Sequence, residues 1–358
     1  MSKDKIESIR YLFSLILFVI FSLAALALTS EYIQPLSGDL TRMGGYAERD
    51  FGWTSSRKVL SNEAKVSNSY DKYYDIVVLG DSFSKSGFWQ SFLNEKTGLS
   101  FTTLHWDDTS IENIIKSKVF INNPPKIFIA EMGVRTLPKH FSSSTATCVP
   151  SSPIKIEGLK FTNGSKQSIP LVEIRRDTTT DWSEINLKFA LVYIENSILR
   201  FVFDNDFTKV KKYSLLKDNL FSNTKSNEIL VLNSWFESKK WTINEINIAT
   251  CYALEIQNEI QSNGKTVFIL LPIPDKGTAY SKYIINPEFT NIAEINNMLL
   301  QKKINTTHVD ALLQKAIDSM EKDVYLPNDT HFGTLGYQIA AQSVYELLVE
   351  IGVIAGDK

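Results

Sequence analysis

The chain has 358 residues, 43% of them hydrophobic and 22% charged, and its 38 Lys and Arg against 40 Asp and Glu leave a net charge of −2. That balance, with no basic run and no aromatic-basic cluster, argues against a nucleic-acid partner. Heptads, internal repeats and low-complexity tracts are absent, and the roughly 325 residues beyond the first apolar run suffice for a sizeable core.

Residues 11–28 (YLFSLILFVIFSLAALAL) carry no charge. A run of about 18 apolar residues matches a hydrocarbon core of about 30 Å and predicts a transmembrane anchor. Lys3, Lys5 and Arg10 come before it. The positive-inside rule then leaves residues 1–10 in the cytoplasm and sends the bulk of the chain to the periplasmic or extracellular side of the inner (cytoplasmic) membrane. A cleaved signal peptide is the alternative, because Ala25-Leu26-Ala27 resembles a small-x-small cleavage site, although the run is long for such a peptide. Either reading exports the remainder. Residues 29–72, polar and bearing Gly38, Gly44, Gly45 and Gly52, read as a connecting segment.

From residue 73 strand and helix patterns alternate. Residues 75–79 (DIVVL) form a short β-branched run that ends at Gly80, residues 101–106 (FTTLHW) a second strand and residues 125–130 (PKIFIA) a third. Helical spacing of Ile111, Ile114, Ile115 and Val119 predicts one helix over 110–120. Residues of about 136–242 break the rhythm and read as an insertion or lid, with apolar stretches at 189–198 and 229–236 that fit either helix or strand. Ile246, Ala249, Ala253, Ile256 and Ile260 then repeat at helical intervals and stop at Asn263-Gly264. A strand over 265–273 (KTVFILLPI), a helix over about 306–322 and a last helix from Thr334 to about 351 follow. The expectation is an α/β domain over 73–351, a mostly parallel sheet flanked by helices, with ligands gathering beyond the carboxyl ends of its strands.

Cys148 and Cys251 are the only cysteines. Export would allow them to pair and close a loop of roughly 100 residues, worth about 4–5 kcal/mol in the chain-entropy account; two unrelated thiols is the other reading. No C-x-x-C or His/Cys cluster occurs, so neither a metal nor a cofactor is expected.

A serine hydroxyl becomes a nucleophile when a positioned base takes its proton and a third group orients that base. Ser82, in Gly80-Asp81-Ser82-Phe83, lies just past the first core strand, where Gly80 permits a tight turn. Ahead of the last helix stands Pro327-Asn328-Asp329-Thr330-His331-Phe332-Gly333, which Pro327 and Gly333 keep non-helical. In an extended segment positions i and i+2 project to one side, so His331 suits a general base and Asp329 its orienter. His105, His140 and His308 lack this setting.

These residues resemble the SGNH hydrolase-like superfamily: Gly80-Asp81-Ser82 after the first strand and an Asp-x-His before the last helix. The usual spacing there is Asp-x-x-His. The shorter form, followed by an aromatic and a Gly-Tyr, is similar to the alginate O-acetyltransferase (AlgJ/AlgX-like) branch. Two more runs resemble that branch, Glu131-Met132-Gly133-Val134-Arg135 and Pro274-Asp275-Lys276-Gly277-Thr278-Ala279-Tyr280. Here Ser82 comes first and His331 last, the order of ordinary SGNH enzymes, and this resembles a circular permutation of the branch.

The resemblance implies an SGNH-like, flavodoxin-like domain and transfer of an acetyl group, through a Ser82 acyl-enzyme, to hydroxyls of an exported or cell-surface polysaccharide. A membrane-bound O-acyltransferase partner would supply the acetyl group, and no cofactor is needed. Arg135, Lys276 and Tyr280 become candidates for the oxyanion or for substrate groups, as does Asn113 at the next helix start. Two alternatives stand beside this reading: an SGNH esterase that deacetylates a polysaccharide, and a non-catalytic polysaccharide-binding assembly subunit. Arg135 paired simply with Glu131, and Lys276 exposed on a loop, are the plain readings of those residues.

Overall fold

The computed structural model describes residues 3–33, 36–60, 70–142, 161, 171–176, 186–203, 208–232, 241–286 and 293–355. Helix α1 (Lys3–Ile33) contains the apolar run, and over Lys5–Thr29 it is long and apolar enough for a single membrane span or a signal sequence. After it come α2 (Asp39–Gly44), α3 (Glu48–Phe51), β1 (Arg57–Leu60), β2 (Ile76–Gly80), α4 (Ser82–Lys85), α5 (Phe88–Thr97) and β3 (Phe101–His105). The middle of the chain forms α6 (Ile111–Ile115), α7 (Lys118–Asn122), β4 (Ile127–Gly133), α8 (Leu137–His140), β5 (Leu171–Ile174), α9 (Leu187–Phe203), β6 (Val210–Ser214) and β7 (Glu228–Leu232). The last part forms α10 (Ile243–Gln261), β8 (Val267–Ile273), α11 (Lys276–Ala279), α12 (Ala293–Gln301), α13 (Val309–Asp318) and α14 (Thr334–Glu350).

These elements sort into two compact units, one of residues 56–174, 234–326 and 330–358, the other of residues 1–55, 175–233 and 327–329. The first is mixed α/β. Its four-stranded sheet has the order β3-β2-β4-β8 and every pairing in it is parallel. One row across it runs Thr103, Val78, Ile129, Ile269. Strands β2, β4 and β8 are buried along their whole length, as expected of near-continuous apolar runs in a parallel sheet covered on both faces. Val77, Leu79, Phe128, Ala130, Phe268 and Leu270 share one face with Ile246, Ala249, Ala253, Ile256 and Ile260 of α10. The alternate residues turn to the opposite face, where α13 packs on β8 and α14 packs on α5 and α13.

The periodicity located β2, β3, β4, β8, α10 and α14 to within a few residues, and the differences elsewhere have local causes. The helix expected over 110–120 is two short ones, because the Ser117 hydroxyl accepts the Phe120 N–H and starts α7 afresh. The helix expected from 306 starts at Val309: Leu270 N–H donates to Asn305 O and Thr307 N–H to Leu270 O, which draws 305–307 to the edge of β8. Of the two ambiguous stretches, 189–198 lies inside helix α9 and the start of 229–236 inside strand β7.

The insertion and the connector divide between the units. Helix α8 buries Leu137, and Phe141 just after it joins the same sheet core, while β5 pairs antiparallel with β1. Helix α9 and the β6–β7 hairpin belong instead with α1, α2 and α3. This second unit has a small apolar core of Leu40, Tyr46, Phe51, Val210 and Leu230 and a polar hub at the fully buried Glu48. The Glu48 carboxylate accepts from Ser37 Oγ at 2.6 Å, from Thr41 Oγ1 and from Asn328 Nδ2, with Arg176 Nη1 at 3.9 Å. Leu40 and Thr41 N–H groups donate to Asn328 O at 3.0 and 3.4 Å. Gly38 has to lack a Cβ, since one there would strike the Asn328 carbonyl.

Cys251, on α10, is in the disulfide-bonded state, and the described residues include no free cysteine. Cys148 lies outside the described residues.

Candidate functional site

In the sheet unit the candidate residues collect beyond the carboxyl ends of the strands: Ser82 after β2, Arg135 after β4, and Asp275, Lys276 and Tyr280 after β8. Strand β2 stops at Gly80, where a Cβ would strike the Ser84 side chain and come within 2.7 Å of Glu131 Oε2. Asp81 is the N-cap of α4. Its Oδ1 accepts from Phe83 N–H at 2.9 Å and its Oδ2 from Gly133 N–H at 2.8 Å, so one carboxylate caps the helix and ties the end of β2 to the end of β4. Ser82, the first helical residue, is exposed.

Glu131 stands beneath this turn, fully buried. Its Oε2 accepts from Asp81 N–H at 3.1 Å and from Ser84 Oγ, which also accepts Trp89 Nε1–H at 3.0 Å. Burial first, then the Asp81 charge, pushes the Glu131 carboxyl well above its usual range. Glu131 therefore braces Gly80-Asp81-Ser82 and is not the partner of Arg135. Arg135 Nη1 pairs instead with Asp275 Oδ1. Burial raises Asp275 from 3.8 to about 6 even though Arg135 opposes the shift; the Asp81 charge adds to the rise.

His331 arrives on a short antiparallel pairing: Leu326 N–H donates to His331 O at 3.0 Å, Gly333 N–H donates to Val324 O at 3.0 Å, and Tyr325 bridges Phe332. Its ring is half-buried, with Nδ1 3.4 Å from Thr330 Oγ1, and lies tilted against Phe83 at 5.1 Å between centroids. Phe83 follows Ser82 directly, and it also packs on Phe332 at 4.8 Å and Tyr325 at 6.5 Å. An aromatic cluster thus fixes the Ser82 turn against the His331 segment. Asp329 counts with the other unit, where its Oδ2 accepts Asp39 N–H at 3.3 Å.

Lys276 and Tyr280 were expected at the substrate or the oxyanion, and both are fully buried. Lys276 Nζ donates to Leu326 O at 2.7 Å, the Tyr280 hydroxyl accepts Tyr325 N–H at 3.4 Å, and the Tyr325 hydroxyl donates to Pro274 O. These bonds tie the loop after β8 to the segment that precedes His331. Burial raises the Tyr280 hydroxyl far above its ordinary range, so it stays protonated. Asn113 is exposed on α6, and its N–H donates to the Ser110 cap at 3.3 Å.

Two residues that motif reasoning passed over also lie at this end of the sheet. Trp106 Nε1–H donates to Glu131 O at 2.8 Å, and its ring stacks on His140 at 4.3 Å. Burial, helped by Lys139 and opposed by Asp81 and Asp107, lowers His140 to about 4, which leaves the imidazole neutral. Nothing in the local sequence marks His140, since its neighbours come from β2 and β3.

No protein-family model matches the chain, and searches of curated proteins and of solved structures return no match. The functional reading therefore stands on the residues and their arrangement.

Proposed function

We propose that the chain is a membrane-anchored SGNH-type O-acetyltransferase that moves an acetyl group through a Ser82 acyl-enzyme onto hydroxyls of an exported or cell-surface polysaccharide. One observation carries the reading. An exposed serine stands in the first turn of a helix beyond the carboxyl end of a central parallel strand, and the ring of its next neighbour packs 5.1 Å from the His331 ring. Ligands of open α/β sheets gather at that edge, and serine with histidine is the pair that acyl transfer uses.

In the first half-reaction His331 takes the Ser82 Oγ proton as Oγ bonds to the acetyl carbonyl carbon of the donor. The tetrahedral intermediate collapses, the donor's oxygen or sulfur departs with the proton from His331, and acetyl-Ser82 remains. In the second half, His331 takes the proton of a sugar hydroxyl as that oxygen attacks the acetyl carbon; Ser82 Oγ leaves and recovers a proton. Asp329 orients the imidazole and stabilises its charged form. Arg135 is held by Asp275 near the reacting end, and Lys276 and Tyr280 hold the loop that carries His331. A membrane-bound O-acyltransferase supplies the acetyl group, and α1 keeps the domain on the non-cytoplasmic face of the inner membrane.

The test is to incubate the purified chain with an activated acetyl ester and look for a 42-dalton adduct (the mass of an added acetyl, independent of the protein) on the peptide containing Ser82. Ser82→Ala is expected to lower turnover by about 10⁴-fold or more with unchanged thermal unfolding. Full polymer acetylation in cells that carry only Ser82→Ala would overturn the proposal. Raised acetylation in a deletion strain would turn it towards the esterase.

A further inference from the structure

Helix α9 presents an unusual surface. Among the described residues outside α1 fifteen large hydrophobics are exposed, and six of them (Leu187, Leu191, Ile198, Phe201, Val202 and Phe203) lie on this one helix. Leu187, Leu191, Ile198 and Val202 follow one another at steps of four, seven and four, which places them on a single stripe. Phe201, beside that stripe, is 91% exposed. Lys188 and Glu195, both exposed, flank it. The one remaining charge, Arg200, is turned inward: Nη1 donates to Gly45 O at 3.1 Å, Nη2 donates to Gly44 O, and the guanidinium lies 3.9 Å over the Tyr46 ring. Gly45, at φ +60, lies close under α9, where a Cβ would sit 2.8 Å from Asn196 Nδ2 and 3.2 Å from Val192 O.

The opposite face of α9 says what covers the stripe. Phe189 and Ala190 are buried with Ala47, and Leu26 of α1 packs against this cluster. Helices α1 and α9 touch within one compact unit. Leu26 is three residues short of Thr29, where the apolar segment of α1 ends, so the start of α9 lies about 5 Å along the helix axis from that end.

We propose that α9 immerses its Leu187–Val202 stripe in the lipid of the bilayer that α1 crosses, at the boundary of headgroups and acyl chains where α1 leaves the membrane. The inference rests on α1 being a retained span. A stripe flanked by Lys188 and Glu195 suits immersion of about 5–10 Å, with the charged groups at the headgroups. The second unit then meets the membrane through two adjoining apolar surfaces, the span and this stripe, and its attachment is rigid where a single helix would leave it tethered.

The experiment uses the full chain reconstituted in phosphatidylethanolamine–phosphatidylglycerol liposomes. Phe201→Cys or Val202→Cys carries an environment-sensitive fluorophore, and Asp218→Cys, exposed elsewhere in the same unit, carries the control. Brominated acyl chains are expected to quench the label at 201 or 202 and spare the one at 218. The triple change Leu191→Glu, Ile198→Glu, Val202→Glu is expected to abolish quenching at 201. Unquenched labels at both 201 and 202 in protein that resists carbonate extraction would overturn the proposal and leave the anchor intact. Protein released by carbonate would overturn the proposal together with the anchor. Label shielding that persists in detergent and scales with protein concentration would overturn it in favour of a second copy of the chain.

Discussion

The two units are held together by different physics. In the sheet unit, apolar strands are buried on both faces and join one large apolar core, with buried polar side chains such as Gln90, Thr103, Gln257 and Ser343 set among them. The unit of α1–α3, α9 and the β6–β7 hairpin has smaller apolar clusters, and polar side chains reach across it: Glu48 to Ser37, Thr41 and Asn328, and Arg176 to the Trp53 and Glu48 carbonyls. Apolar burial is tolerant, since its strength follows area and shape rather than direction. A buried polar hub is directional, and losing one partner leaves the others unsatisfied. The sheet unit should therefore yield most to lost volume, and the other unit to lost hydrogen bonds.

The largest expected effect on stability is in the sheet. Phe128→Ala removes a ring that stacks on Phe268 at 6.3 Å in the buried layer. It should cost about 3–5 kcal/mol in denaturant unfolding. Next is Glu48→Ala, which strands three donors and should cost about 3 kcal/mol. Hydrogen exchange gives the sharper reading: the Leu40 and Thr41 amides should speed up well before those of β2 and β4. Equal acceleration in both would break the comparison, because the units would then open as one.

The third prediction concerns pH. The folded-state value of Asp275 is raised from 3.8 to about 6. Its contribution is thus fully present below pH about 4 and is lost as the pH climbs through about 6. Relative to Asp275→Asn, the natural chain should lose about 2–3 kcal/mol over that window. A difference that stays flat with pH would mean that Arg135 compensates the buried charge in full. The smallest effect belongs to the α10 cap, where Thr242 Oγ1 accepts Glu245 N–H at 3.2 Å and Glu245 Oε2 accepts Thr242 N–H at 2.7 Å. Thr242→Ala should cost about 1 kcal/mol, measured by the unfolding midpoint.

The same contrast governs what could be read from the chain. Strands β2, β4 and β8 and helix α10 were legible because burial on both faces of a sheet, or along one stripe of a helix, demands apolar residues at set intervals. Helices α2 and α3 have six and four residues, too short for a periodic signal, and the bond from Asp39 N–H to Asp329 spans 290 positions. Hence residues 29–72 read as a connector. The places of Ser82 and His331 in the fold were legible because the strand before one and the Pro and Gly around the other locate them; the surroundings of His140 and Asp275 were not, since their neighbours come from far along the chain.

By itself the sequence determined the apolar helix α1, the parallel strands with their order along the chain, and the turn at Gly80 that sets Ser82 at the sheet's edge. Each follows from local rules of length, periodicity and sterics. Tertiary structure alone decided that Lys276 and Tyr280 lie inside, that Arg135 joins Asp275 while the buried Glu131 braces the Gly80 turn, and that α9 turns its apolar stripe outward beside α1. Exposure, charge state and partner are properties of a side chain's surroundings, and those surroundings are assembled from segments that no local pattern connects.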